Sequence, residues 1–224
     1  AHVFTPVPFG TIISTKGPFI GGVDIFELKI FGRAGHGAMP QTSVDPIVIA
    51  AHVITALQTI VSRETKPGEL VVVTVASIEG GRAVNVIVDE VTLRGTVRWH
   101  DAIERDRVIE RILSLASGVA NAMRGRAELN VLGGAPVTVN AAGAVDAVSD
   151  AIAETGRAKL VDSGPLTVSE DFSLFLEKVP GCLIGVGCGG PDAPPHHHHA
   201  FEIDERCIGL TAEVLARVAL RTLR

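Results

Sequence analysis

The sequence predicts an α/β protein in which a small α+β domain is inserted into a larger α/β domain. A strand–helix–strand–strand–helix–strand pattern fills residues 25–132, with turn or cap residues at each junction. The flanking residues, 1–24 and 133–224, carry apolar runs of their own. Its 224 residues fit one large domain or two small ones at about 150 residues each.

Ile25, Leu28 and Ile30 mix with Glu27 and Lys29, as in a strand with one wet face. A glycine-rich turn follows from Gly32 to Pro40. Asp45 is a good N-cap and Pro46 suits the first helical position, so a helix starts there. Val48, Ala51, Ile54, Ala56, Leu57, Ile60 and Val61 recur along it at helical spacing, and Pro67-Gly68 closes the unit. Leu70 to Ile78 reads as a strand, Glu79-Gly80-Gly81-Arg82 as a turn, and Asp89 to Trp99 as a strand alternating through Val91, Leu93 and Val97. Asp101 caps a second helix carrying Ile103, Val108, Ile112, Leu115 and Val119, which Gly125 stops. Ala127 to Leu132 is the last strand. This βαββαβ order is the split βαβ of ferredoxin-like domains, with both helices on one face of an antiparallel sheet. Beyond it, helices are expected at Ala142–Thr155, about Ser169–Lys178 and Asp204–Leu223, and an apolar strand at Cys182–Val186. Ala1-His2-Val3-Phe4 resembles neither a translation start nor a signal peptide, so the chain reads as a piece of a longer one.

Composition excludes several classes. With 46% hydrophobic and 20% charged residues the chain can bury a core. Twenty Lys and Arg against twenty-five Asp and Glu leave a net charge of −5, with no electrostatic reason to bind nucleic acid or an anionic membrane. The longest strongly apolar stretch, Leu70–Ile78, is strand-sized, against the ~20 residues of a membrane helix. Three cysteines make no disulfide framework and suit a reducing, cytoplasmic setting.

The histidines carry most of the candidate chemistry. The run His196–His199 follows Pro191, Pro194 and Pro195, which suits a loop offering imidazole to a metal, one ligand among several bystanders. A purification tag is the rival reading, but a tag sits at a terminus and a well-patterned helix follows here. His36 lies between Gly35 and Gly37, which permit a tight, mobile turn with an uncluttered ring; an ordinary surface-turn histidine is the alternative. His52 and His100 read as structural or solvent-facing. Glu170-Asp171 favours a helix start through the dipole, though such a pair could also orient a ligand. Asn85, among Val84, Val86 and Ile87, must find partners or stay at a surface. Cys182 and Cys188 read as buried thiols rather than a zinc knuckle.

Gly32-Arg33-Ala34-Gly35-His36-Gly37-Ala38-Met39-Pro40, Asp45-Pro46 and Leu57-Gln58-Thr59-Ile60-Val61-Ser62-Arg63 resemble the M20 metallopeptidase family. More narrowly they resemble its amidohydrolase branch of hippurate hydrolases, N-acyl-amino-acid amidohydrolases and auxin-conjugate hydrolases. Asn85-Val86-Ile87, Asp89-Glu90-Val91, Arg94-Gly95-Thr96-Val97-Arg98, Glu170-Asp171-Phe172, Pro180-Gly181 and the His-rich loop leading to Phe201 and Asp204-Glu205 continue the likeness in order. Val88 stands where the family has Pro, and so does His199.

The resemblance implies a zinc-peptidase-like catalytic domain, here incomplete, with an inserted ferredoxin-like lid that dimerises the protein. It implies two divalent metal ions per complete site, zinc or manganese, and hydrolysis of an N-acyl amino acid or related conjugate. It places His2 and His197, alternatively His198, as metal ligands. His36 becomes an oxyanion donor across the dimer, and Asn85 and Arg98 become substrate-binding residues. The family's Cys-Gly-His-Asp motif and Glu-Glu pair, which carry other ligands and the general base, are absent from these residues. This chain alone is therefore expected to be inactive. The rival class is a non-catalytic dimerisation or binding module descended from such a hydrolase.

Overall fold

The structure, a computed structural model, describes residues 1–223. The chain forms two compact units: one from residues 1–20, 138–166 and 170 onward, the other from 21–137 together with Thr167–Ser169. The second is wider than the 25–132 read from sequence, because its first strand starts at Gly22 and its last reaches Ala135.

In chain order the first unit begins with β1 (His2–Pro8), β2 (Thr11–Ser14) and β3 (Gly17–Ile20). The second unit holds β4 (Gly22–Phe31), β5 (Gly35–His36), α1 (Pro46–Thr59), β6 (Val72–Glu79), β7 (Val86–Ile87), β8 (Glu90–Trp99), α2 (Ala102–Ala122) and β9 (Arg126–Ala135). The first unit resumes with β10 (Thr138–Asn140), α3 (Ala142–Thr155), β11 (Lys159–Asp162), α4 (Ser173–Leu176), β12 (Gly185–Gly189) and α5 (Arg206–Thr222).

The first unit's main sheet runs β1-β12-β2-β11, with β1 parallel to β12 and β2 parallel to β11. Ile12, Val148, Ile152, Ile184, Val186, Leu210 and Val214 form a core with Cys188 and Cys207. Burial pushes both thiols above their ordinary pKa, which keeps them unreactive. Sequence patterning finds α3 at its observed bounds but gives no strands for β1–β3, β10 or β11. These are short, and Pro6, Pro8 and Pro18 interrupt their alternation. The expected Cys182–Val186 strand begins only at Gly185, and the Ser169–Lys178 helix shrinks to α4. Glu170 stands outside that helix, its carboxylate accepting from Phe172 N and its carbonyl from Ser173 Oγ.

The second unit is the ferredoxin-like fold expected. Its sheet runs β6-β8-β4-β9, antiparallel throughout, with α1 and α2 packed over Phe26, Leu28, Ile30, Val91, Leu93 and Val97. Strands β4 and β8 pair without a break from Gly22↔Trp99 to Phe31↔Glu90. Asp45 caps α1 by accepting from Ile47 N and Val48 N, and Asp101 caps α2 through Ile103 N and Glu104 N. The buried faces match those read off the sequence in part: Leu57, Ile60, Val108 and Ile112 are buried as expected. Helix α1 buries Ile49, Val53 and Leu57 and exposes Val48 and Ala51, and the π-turn after it exposes Val61; α2 buries Val108, Ile112, Ala116 and Ala120 and exposes Ile103. So many apolar residues ring α1 that periodicity alone could not orient it. With its terminal π-turn, Pro46–Glu64 spans 19 residues with a mean hydropathy of 1.4. That is long and apolar enough to cross a bilayer, contrary to the strand-sized limit inferred from Leu70–Ile78. Here its buried face packs on the sheet, as a core helix does.

Two details hold the second unit's ends. At one end the buried Asp24 carboxylate accepts from Trp99 Nε1 and from Arg105 Nε and Nη2, each at 2.8 Å. At the other, α2 closes with Gly125 N bonded to Ala120 O and Arg124 N to Asn121 O, a Schellman pattern. The left-handed position is Arg124 (φ 67°), one residue before the Gly125 expected to stop the helix. Gly125 is required for closeness instead, since a Cβ there would lie 2.6 Å from Ile49 Cδ1 and 2.7 Å from Phe31 O.

Asp24→Ala strands the Arg105 guanidinium and the Trp99 N–H, so urea unfolding should show a loss of about 3 kcal/mol. An unchanged midpoint would mean that the carboxylate holds nothing. Arg124→Gly should raise stability by roughly 0.5–1 kcal/mol, because glycine adopts the left-handed cap without steric cost.

Candidate functional site

The second unit places two candidate residues side by side. Strands β5 and β7 form a two-residue antiparallel ladder in which His36 faces Val86 and Gly35 faces Ile87. Gly37 N donates to Asn85 O at 2.9 Å and Met39 N to His36 O at 2.8 Å. The turn is therefore braced rather than mobile. Neither Gly35 nor Gly37 has a positive φ. They are small for another reason: a Cβ on Gly35 would lie 2.8 Å from Ser43 Cβ, and one on Gly37 3.2 Å from Asn85 O. Asn85 takes the surface option, its side chain exposed beside the ladder.

The His36 ring is exposed, and its Nδ1 accepts from Ala38 N at 3.1 Å. An imidazole whose Nδ1 accepts keeps its proton on Nε2. His36 thus presents an N–H donor outward, which is what stabilising a developing oxyanion requires.

Arg98 lies elsewhere. It sits at the Trp99 end of β8, where its Nη1 donates to Thr167 O at 3.2 Å and Ser169 Oγ at 3.4 Å. Strand β8 has ten residues, which at about 3.3 Å each puts its ends on the order of 30 Å apart. The His36 ladder lies past the other end, where Gly32 N bonds Asp89 O. His36 and Arg98 of one chain cannot touch the same small molecule.

The first unit holds His2 and the run His196–His199. His2 Nδ1 donates to Val3 O at 2.7 Å, leaving Nε2 with its lone pair, as in many metal-ligating histidines. His196, which sequence reasoning left among the bystanders, donates from Nε2 to the same carbonyl at 2.8 Å, and its ring lies 5.4 Å from that of His2. Phe4 and Phe201 pack around His196. Among the described residues no other imidazole meets the His2 ring. His198 Nδ1 accepts from Ala200 N, so its neutral ring carries the proton on Nε2 and offers no lone pair. That argues against His198 as the alternative ligand. His197 is exposed, with a left-handed backbone (φ 65°) uncommon for a residue with a side chain. Such backbone strain clusters at functional positions. Imidazole nitrogens suit a zinc-class ion in kind. Among the described residues, however, no group of three or more His, Cys, Asp or Glu side chains could hold one. His52 is exposed on α1, and His100 is half-buried just past β8.

Residues 21–123 match the family profile of the peptidase dimerisation domain of M20 proteins. The chain is 36% identical over 222 residues to an N-acetyl-L-cysteine deacetylase of Bacillus subtilis, covering 99% of this chain and 53% of that protein. It is 32% identical over 230 residues to the IAA-amino acid hydrolase ILR1-like 2 of Arabidopsis thaliana, covering 100% and 52%. The Bacillus subtilis YXEP protein, a dinuclear metal-binding peptidase of the M20 family, superposes with a TM-score of 0.80 at 29% identity, over 99% of this chain and 56% of that one. The chain belongs to the M20 family. It spans about half the length of the curated relatives it matches. Its relatives are hydrolases, and residues 21–123 of this M20 chain are the part that matches the dimerisation domain.

Nitrogen NMR of the imidazoles provides the check on the two ring assignments. His36 should appear as the Nε2–H tautomer and His2 as the Nδ1–H tautomer; the reverse pattern at His36 would leave it no donor to present.

Proposed function

We propose that this chain is part of a metal-dependent amidohydrolase that cleaves the amide bond of N-acyl amino acids or related conjugates and works as a homodimer through the second unit. The separation of His36 from Arg98 along β8 supports this best. Two residues suited to one small substrate stand on the order of 30 Å apart in a single chain, so a shared substrate needs two copies. A symmetric pair supplies each site with His36 from one copy and Arg98 from the other. The relatives' activities, N-acetylcysteine deacetylase and IAA-amino acid hydrolase, fall in that substrate class.

In this reading Arg98 takes the carboxylate of the amino-acid half. Only its Nη1 contacts Thr167 and Ser169, which leaves the rest of the guanidinium fork for an anion. His36 donates from Nε2 to the carbonyl oxygen as negative charge develops there. Asn85 hydrogen-bonds the substrate beside it. His2 and His197 would contribute nitrogens to two divalent ions, zinc or manganese, which when bound polarise the amide carbonyl and lower the pKa of a water. The remaining ligands and the general base would come from residues outside these 224, so the chain alone is expected not to turn over. The cysteine usage favours a cytoplasmic setting.

Mixed dimers of the full-length protein test the arrangement. His36→Ala and Arg98→Ala should each lower kcat/KM on an N-acyl amino acid by about 10²-fold or more. Mixing the two should restore about a quarter of the wild-type rate, since random pairing gives one intact site in four. No recovery in dimers shown to exchange would place both residues in the same copy. Hydrolysis that survives both substitutions would favour the non-catalytic reading of this domain.

A further inference from the structure

The His36 ladder carries apolar residues that neither its pairing nor the second unit's core accounts for. Val86 stands directly opposite His36, and opposed residues of such a ladder have Cβ atoms about 4.5–5.5 Å apart on the same face. Val86 and Met39 are half exposed, and Val84 is fully exposed. The core that packs under α1 and α2 includes none of the three. Main-chain bonds tie the two loops bearing them at the ladder: Gly37 N to Asn85 O, Met39 N to His36 O and Val86 N to Ala83 O. An exposed donor thus stands opposite Val86, and Met39 and Val84 on the same two loops add exposed apolar surface to this collar.

We propose that Val86, Val84 and Met39 form the wall that selects an apolar acyl group, offered to the substrate by the same copy that offers His36. The inference rests on the amide-hydrolase reading and adds the substrate class. A group held to the His36 Nε2–H through its carbonyl oxygen has two substituents on the carbonyl carbon, the acyl chain and the departing amine. The amine half ends in the carboxylate assigned to Arg98, which in this chain lies at the far end of β8. The acyl chain is therefore the half left to contact Val86. Burying an apolar chain against the collar removes exposed hydrocarbon on both sides, whereas a charged chain there loses water without an opposite charge beside it. The cations of these loops, Arg33 and Arg82, are exposed and stand three residues from His36 and four from Val86. They define the competing outcome, an anionic acyl group.

The test uses the full-length protein with N-acetyl, N-hexanoyl, N-benzoyl and N-succinyl derivatives of one amino acid. Wild type should favour hexanoyl and benzoyl over succinyl by about tenfold or more in kcat/KM. Val86→Asp and Val84→Asp should each lower the hexanoyl-to-acetyl ratio by about tenfold, and Val86→Thr, which keeps the shape, should lower it less. An equal change for all four substrates would overturn the inference and leave the hydrolase reading intact. So would a wild-type preference for succinyl, which would assign the acyl group to Arg33 or Arg82. Should wild type cleave none of the four, the amide-hydrolase reading falls and the inference falls with it.

Discussion

The unbroken pairing of β4 with β8 is the constraint on which the second unit's chemistry depends. Ten consecutive residue pairs, from Gly22↔Trp99 to Phe31↔Glu90, make a rigid bar. Because side chains alternate strictly along it, a slip of one residue would turn Phe26, Leu28, Val91 and Leu93 away from the helices. The bar therefore has one register and one length. Its two ends are finished differently. Asp24, Trp99 and Arg105 clamp the end that carries Arg98, while the Gly32–Asp89 bond leads into the His36 ladder at the other. Distance between functional groups is thus set by strand length rather than by flexible loops.

Backbone hydrogen bonds then decide what each imidazole can do. At His36 an amide donates to Nδ1; at His2 a carbonyl accepts from it. One ring is left as a donor and the other as a lone-pair ligand, with no need for burial or a neighbouring charge. The same logic divides the histidine run. His198 is committed as a donor ring, and His196 spends its Nε2–H on the carbonyl that already serves His2. His197 alone of these three shows its peculiarity in the backbone rather than the ring.

Much of the second unit was legible because its signals are local and mutually consistent. Asp45-Pro46 and Asp101 start helices where N-cap chemistry says they should, and Val91, Leu93 and Val97 all point inward. What stayed hidden depended on contacts distant in sequence. The His36–Val86 ladder is too short to show a period, and Arg98 meets Thr167 and Ser169 about seventy residues away, beyond any pattern a local reading could find. His196 could be told from its neighbours only by the position of Val3 O. In the first unit β1 and β12 pair in parallel; the pattern shows no strand at β1, and of β12, with three glycines in five residues, it shows only the first two positions. Arg124 in a left-handed cap has no sequence signature, since the adjacent Gly125 is the better candidate by composition and is needed there for closeness instead.

A rigid bar with one polar task at each end also bears on how such an enzyme would discriminate. In the proposed dimer each site reads the amino-acid half of its substrate with one copy and the acyl half with the other. The two readings then share no side chains, and substitutions at Val84 or Val86 are free to alter acyl preference without disturbing Arg98 or the Asp24 clamp. The cost is that selectivity depends on the pairing geometry. Any change that shifts one copy against the other moves the His36 collar relative to the bound carboxylate, and a displacement of about 1 Å is enough to lose the reacting geometry. Dimerisation in this arrangement is part of substrate recognition, and the strand that separates His36 from Arg98 is what makes it so.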